Sequence, residues 1–469
     1  MTGPSRRLAL TATVVAVAAS IVFLVAVWIA MPWVMGDTPF VLDGSNAFLK
    51  CLSAHDYSGC GFTGTLNYWG LMSPIGDWPL LQHVPDLISI GLGADGHAAR
   101  TRILELLSVA GVVGAVVSAR FAFVRAGHAP WFWAFLIAVL SSPLIWYART
   151  TAGEALATGL LVAFVAATVV PAPPIVLGLA AVGACWTKET SYPFVAALGL
   201  LGLVLARRRM GLPIRRHLAW GAAGMGVAIV AASWFNVVRF GSVFNPNVSE
   251  SQLHTPGLAR KLEYALAVVA APNGGVVVFL PVASLLVLAA CVLALRGRRT
   301  LDVRPAVVLV AVIVVLSVGL GSWWTPFGWF GYGPRLALPW VLPILLLALI
   351  AYGDALRQPA RRALTPAWRA VAIFAVVLAA TLPHIGQLWR PNAIGRFFLL
   401  PGKACEAPWR GGTEGWYDCQ DEQMWLDRPM SLYALRGVAT PGGIATTVVV
   451  ALGLAGCFVL LRRELRPTC

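Results

Sequence analysis

Seven charged residues sit at the edges of long apolar runs, and their types suit one kind of chemistry. Asp37 and Asp43 lie six apart in Gly36-Asp37-Thr38-Pro39-Phe40-Val41-Leu42-Asp43-Gly44, just beyond an apolar run over 8–35. Arg149 and Glu154 share Ala148-Arg149-Thr150-Thr151-Ala152-Gly153-Glu154, and Lys188 stands in Trp186-Thr187-Lys188-Glu189-Thr190. Arg239 falls in Asn236-Val237-Val238-Arg239-Phe240-Gly241-Ser242, and Arg335 closes Gly331-Tyr332-Gly333-Pro334-Arg335. Ionisable groups near membrane depth are costly and usually functional. Arginine grips a phosphate through paired N–H groups, and lysine meets it as a point charge. A carboxylate beside such cations takes a proton from an acceptor hydroxyl while the cations stabilise the phosphate. The set therefore predicts chemistry on an anionic lipid. Asp37 and Glu154 are the catalytic carboxylates, and Asp43, Arg149, Lys188, Arg239 and Arg335 are the binding groups.

Each residue also has a plainer role. Asp37 caps a helix or pairs with an arginine; Arg149 and Glu154 pair across a tight turn; Lys188 snorkels to the interface; Arg239 anchors a span end; Arg335 pairs with a loop acid. His55, His83 and His97 lack metal-ligand spacing on one helix, so no metal site is assigned. A divalent cation held by Asp and His of the first loop is kept as an alternative. Walker, GxSxG and HExxH motifs are absent from the sequence.

The elements that must position these groups are membrane spans. Only 12% of the 469 residues are charged and 58% are hydrophobic, with mean hydropathy +0.77, against about a quarter charged in a soluble domain. The net charge of +15 is a topology signal and excludes a nucleic-acid partner. Twenty of the 35 basic residues gather in six short stretches, Arg6–Arg7, Arg207–Arg216 and Arg462–Arg466 among them, with three acids in or beside them. The remaining 15 basic and 17 acidic residues nearly cancel, as the positive-inside rule requires. At roughly 20 apolar residues per crossing, the sequence predicts an all-α polytopic membrane protein of about twelve spans. They cover 8–35, 103–124, 131–148, 152–170, 172–187, 190–206, 218–237, 273–295, 305–323, 335–353, 368–387 and 441–461. The first is read as a retained anchor, and the fourth and fifth as two crossings or a re-entrant pair. Both termini then lie inside. Outside lie four loops, 36–102 (with two interfacial helices, one near Trp78–Leu92), 238–262, 322–335 and 388–440. Cys51 with Cys60 and Cys405 with Cys419 are spaced to pair in an oxidising compartment, four unpaired thiols being the alternative. The Asn247-Val248-Ser249 sequon is read as chance.

Laid out this way, the chain resembles the GT-C glycosyltransferases, in the bacterial branch of the protein-mannosyltransferase and aminoarabinose-transferase superfamily. Gly36-Asp37-Thr38-Pro39 resembles the family's Gly-Asp-Glu-Pro-like sequence after the first span, with Thr38 in place of the second acid. Arg149 with Glu154, Lys188 ahead of Pro193, the Asn236–Ser242 stretch, and Gly333-Pro334-Arg335 followed by Pro339 and Pro343 resemble further family patterns. These five fall in family order over roughly residues 8–345, and of the family's large soluble C-terminal domain only the loop 388–440 has a counterpart. The resemblance implies a GT-C-like catalytic region over 1–387, the loop 388–440, and a last span with a basic tail over 441–469. It implies transfer of a sugar from a polyprenyl-phosphate-linked donor to a glycan, lipid or protein hydroxyl on the extracytoplasmic face of a bacterial inner membrane. Asp37 would be the general base, Lys188 would contact the lipid phosphate, and no organic cofactor is implied. The alternatives are a transporter or flippase of lipid-linked sugars, whose polar groups belong near the midplane on broken helices, and a non-catalytic cell-envelope assembly protein. Charges gathered at the outer span ends favour the enzyme.

Overall fold

The structure is a computed structural model. It describes residues 38–390 and 421–466, apart from short breaks at 65, 68–69, 72, 77–79, 95, 152, 171, 189–190, 212–213, 250–253, 298–299, 324, 329–331, 422–423 and 426–429. The expected first span and Asp37 lie outside the described residues, as do Cys405 and Cys419.

The described residues open on α1 (Thr38–Ser53), a two-residue hairpin of β1 (Leu66–Asn67) and β2 (Gly70–Leu71), and α2 (Leu80–Gly91). A bundle follows: α3 (His97–Arg125), α4 (Trp131–Leu140), α5 (Leu144–Tyr147), α6 (Glu154–Val169), α7 (Pro174–Trp186), α8 (Tyr192–Met210) and α9 (Ile214–Phe240). It continues with α10 (Leu258–Ala270), α11 (Val276–Phe279), α12 (Pro281–Arg296), α13 (Arg304–Gly321), α14 (Leu338–Leu364) and α15 (Ala367–Trp389). Short α16 (Met430–Ala434) and long α17 (Pro441–Glu464) complete it. The chain is an all-α polytopic membrane protein.

Helices occupy the expected spans from α3 onward, but not all as single rods. Six are long and apolar enough to cross a membrane among the described residues: α3, α9, α13, α14, α15 and α17. Ser141-Ser142-Pro143 divides the third expected span into α4 and α5, and Pro281 divides the eighth into α11 and α12. Proline lacks the N–H that a continuous helix needs. At 16 and 13 residues, α6 and α7 extend about 24 and 20 Å, less than the roughly 30 Å hydrocarbon core. The count of twelve therefore rests on the apolar pattern, since these helices are short.

The core lies around α6, where 13 of 16 residues are buried, as expected of a helix apolar all round. It packs along α3 and against α14, α7 and α8. The α3 contact is close because both sides are glycine. A Cβ at Gly159 would meet the Gly111 carbonyl oxygen at 2.3 Å, and small residues let membrane helices approach this way. That contact fixes the position of α6, and so of its first residue, Glu154.

Among the described residues, the first loop, the loop after α9 and the loop after α13 meet one another at one end of the bundle. Gly59 and Cys60 donate their N–H groups to the carbonyls of Val237 and Val238 (2.9 and 3.0 Å), and a disulfide joins Cys51 to Cys60. Asn247 uses both ends of its buried amide on Leu71, accepting from its N–H at 2.7 Å and donating to its carbonyl at 3.1 Å. Thr255 bonds the backbone of Ser322 and Trp323. The opposite end is basic: Arg208 pairs with Asp302, Arg209 reaches His128 and the Ala351 carbonyl, and Arg357 donates to the Glu464 carbonyl.

Candidate active site

The turn that carries Arg335 is held from beneath. Tyr147, the last residue of α5, clamps Tyr332 on both sides: its hydroxyl donates to the Tyr332 carbonyl and accepts from the Tyr332 N–H, each at 3.1 Å. The Tyr332 hydroxyl reaches Nδ1 of His384 at 3.2 Å, and His384 Nε2 lies 3.1 Å from the Phe279 carbonyl. A carbonyl only accepts, so the ring proton sits on Nε2 and Nδ1 accepts from the tyrosine. Gly333 then takes φ 69°, in the left-handed region that glycine favours, and its α-carbon lies against Phe279, where a Cβ would come within 2.5 Å. Pro334 and Arg335 follow, and the chain enters α14.

Arg335 points across the bundle onto Glu154, with Nε donating to Oε1 at 2.5 Å. The side chains are 7% and 9% exposed. The carboxylate sits at the N-terminus of α6, where the helix dipole favours an anion, and Tyr147 stands beside the pair. The second oxygen, Oε2, is buried and has no hydrogen-bond partner among the described residues. Such a group is held ready for another donor or is costly.

Two elements of the first loop close over this pair. Thr38, at the start of α1, shares a hydrogen bond with Thr151, and Gln82 of α2 lies against Gly153. The loop is itself pinned by a buried pair. Arg100 on α3 donates through Nε to Asp86 Oδ1 (2.7 Å) and through Nη2 to Oδ2, and also to the Leu42 carbonyl (2.8 Å) and Asn46 Oδ1 (3.1 Å). One guanidinium so fastens α1, α2 and α3, the bidentate geometry adding specificity to the charge.

The other expected binding residues are spread over the same end. Arg149, half-buried, donates to the Leu388 carbonyl. Burial lowers its pKa, and the nearby Glu105 carboxylate opposes that. Lys188, also half-buried, holds its Nζ 5.8 Å from the Trp323 ring centroid. Arg239 is wholly buried, with Nε and Nη2 on Asn236 Oδ1 (2.9 and 2.6 Å) and the rings of Phe235 and Phe240 within 5 Å of its guanidinium carbon. That environment matches an anchor at the end of α9. Asp43 stands exposed on α1, 3.8 Å from His97. Among the described residues no three His, Cys, Asp or Glu side chains gather as metal ligands.

From the sequence, several buried polar groups carry no site role, and His83 enters only as a histidine without metal-ligand spacing. Asp86 and Ser89 are three apart on one face of α2, and Ser89 donates to the Asp86 carboxylate. His83, on the same helix, is fully buried with Nδ1 3.2 Å from Ser45 Oγ. Burial, with Arg239 nearby, lowers its pKa to about 3. His384 carried a readable signal, being an ionisable residue inside an apolar run.

No protein-family model matches the chain, and no curated protein matches it. Among solved structures it is similar to ArnT from Cupriavidus metallidurans in the apo state, at 17% identity over 97% of this chain and 76% of that one, TM-score 0.49. The same protein bound to undecaprenyl phosphate gives 17% identity, the same coverage and TM-score 0.47.

Proposed function

We propose that the chain is a membrane glycosyltransferase that moves a sugar from a polyprenyl-phosphate-linked donor to an acceptor hydroxyl, with its active site at the loop-covered end. The observation that carries this is the buried Glu154–Arg335 pair, set under α1 and α2 with one carboxylate oxygen unsatisfied. Burying two charges is costly unless geometry and hydrogen bonds repay it, and here tyrosine, histidine and glycine are arranged to hold the arginine. Glu154 positions that cation. Lys188 and Arg335 take the donor phosphate, with Arg149 further along the rim, and Arg239 fixes the end of α9 beneath the first loop.

Asp37 is the chain neighbour of Thr38, which bonds Thr151 three residues before Glu154. As general base it takes the proton of the acceptor hydroxyl. The acceptor oxygen bonds to the anomeric carbon, and the bond from that carbon to the phosphate oxygen breaks. Its electron pair leaves with the polyprenyl phosphate. A phosphate leaving group needs no general acid at neutral pH, so one base and electrostatic stabilisation suffice. The basic residues at the far end support placing that end in the cytoplasm of a bacterial inner membrane and the site on the extracytoplasmic face.

The test is transfer from a panel of polyprenyl-phosphate sugars by purified protein and by Asp37→Asn. The expected result is transfer by the unaltered protein, its loss in the variant, and nearly unchanged protein level and donor binding. Equal activity in both would remove Asp37 from the role and send the search to Asp43 or Glu154. Tight donor binding with no transfer by either would support a flippase instead.

A further inference from the structure

At the basic end two concavities share a wall, the first of them running up the bundle as far as Pro281 and Ala380. The first is a groove of about 450 Å³ between α4, α12, α14, α15 and α17, lined by apolar side chains including Trp131, Leu285, Ile373, Val376 and Phe458. Its size is that of a ligand site. Leu285 and Val376 are 62% and 69% exposed, so the groove opens sideways, toward lipid tails. The second, about 270 Å³, is lined by Arg361, Thr365, Arg462 and Arg466 with Leu364 and Leu465. Leu364 lines both.

The charges of the second pocket are of one sign. Arg462 donates through Nη2 to the Thr365 carbonyl at 2.6 Å, and its Nε is buried with no hydrogen-bond partner among the described residues. Glu464, the acid nearest in sequence, is engaged elsewhere: its carboxylate accepts from Trp133 Nε1 at 3.0 Å and its carbonyl from Arg357. Trp368, 68% exposed with Arg369 against its ring, stands at the start of α15 as an interfacial anchor does.

We propose that groove and pocket together bind an anionic phospholipid, with the headgroup phosphate on Arg361, Arg462 and Arg466 and an acyl chain in the groove. Basic pockets between membrane helices take such headgroups. A zwitterionic lipid would bring its ammonium among three guanidiniums. A second copy of this chain, oriented the same way in the membrane, would bring its own basic end against this one. Charge complementarity leaves the anionic lipid as occupant.

The experiment is native mass spectrometry of the delipidated protein in detergent, titrated with dioleoyl-phosphatidylglycerol and with dioleoyl-phosphatidylcholine. The expected result is preference for phosphatidylglycerol by tenfold or more. Replacing Arg361, Arg462 and Arg466 by glutamine should reduce that affinity by roughly five-fold per residue, while replacement by lysine should keep the preference. Ala372→Trp, which fills the groove from an exposed position, should weaken both lipids several-fold, and this variant and the lysine variant test the site even where the glutamine variant fails to fold. Equal binding of the two lipids, or an unchanged preference in the glutamine variant, would overturn the proposal. Loss of a dimer in place of a lipid adduct in Ala372→Trp would overturn it also, giving the face to a second copy.

Discussion

At the loop-covered end Glu154, Arg335, Asp86, Arg100 and Arg239 are all less than one-tenth exposed, whereas at the basic end Arg208, Asp302, Arg357 and Arg361 face outward. The same residue types are handled in opposite ways. Outside, each guanidinium keeps most of its hydration and its partner is worth little. Inside, each guanidinium is matched by a carboxylate, a carbonyl or an aromatic face, because an unmatched one would be strongly destabilising. A chain that needs cations only for orientation in the membrane can leave them all outside. Burial at one end alone points to a further demand there, which the proposed donor phosphate would supply.

The largest expected effect comes from breaking the buried pair. Glu154→Gln leaves the Arg335 charge uncompensated and should cost about 3–5 kcal/mol, read as a lowered midpoint in thermal unfolding in detergent. Arg335→Gln should cost a similar amount. If the pair were only structural, the double variant would recover both stability and transfer. The proposed role predicts recovery of stability, since both charges are gone, with transfer still lost. Restored transfer in the double variant would reduce the pair to a support.

The architecture was largely legible because apolar runs of span length have few other solutions, although the breaks at Pro143 and Pro281 fell inside the expected single spans 131–148 and 273–295. Pairing was less so. Spacing alone suggested that Arg149 and Glu154, five apart, face one another. In the fold Glu154 turns inward to Arg335, 181 positions away, and Arg149 turns to the Leu388 carbonyl. Sequence neighbours across a turn leave in different directions, and nothing local encodes which distant helix each will meet. The Asp86–Arg100 pair stayed hidden for a related reason. It joins two helices whose angle is set by the loop between them, and Asp86 alone resembles any polar residue on an interfacial helix.

A smaller and pH-dependent effect should come from His83. Its ordinary pKa is 6.5, lowered to about 3 in the fold by burial and by Arg239, so the fold binds it neutral. The stability it contributes is complete above pH 6.5 and is lost as pH falls toward 3, because the unfolded chain takes up the proton first. The slope approaches about 1.4 kcal/mol per pH unit within that window. His83→Gln should flatten the melting temperature against pH between 6.5 and 3 by that share. An unchanged slope would mean that the ring titrates in the fold, and that α2 does not seal it from water as the geometry requires.

The smallest effect is expected where the basic end is most conspicuously paired. Arg208 and Asp302 form an ion pair with side chains 42% and 38% exposed, at the end of α8 and just before α13. Both groups keep water, and holding two flexible side chains together costs entropy, so the pair should be worth about 0–1 kcal/mol. Asp302→Asn should shift the unfolding midpoint little and leave transfer intact, and 0.5 M salt should shrink even that shift by screening. A loss as large as that of Glu154→Gln would erase the contrast between the two ends, since it would show that exposure does not govern what a charge contributes in this bundle.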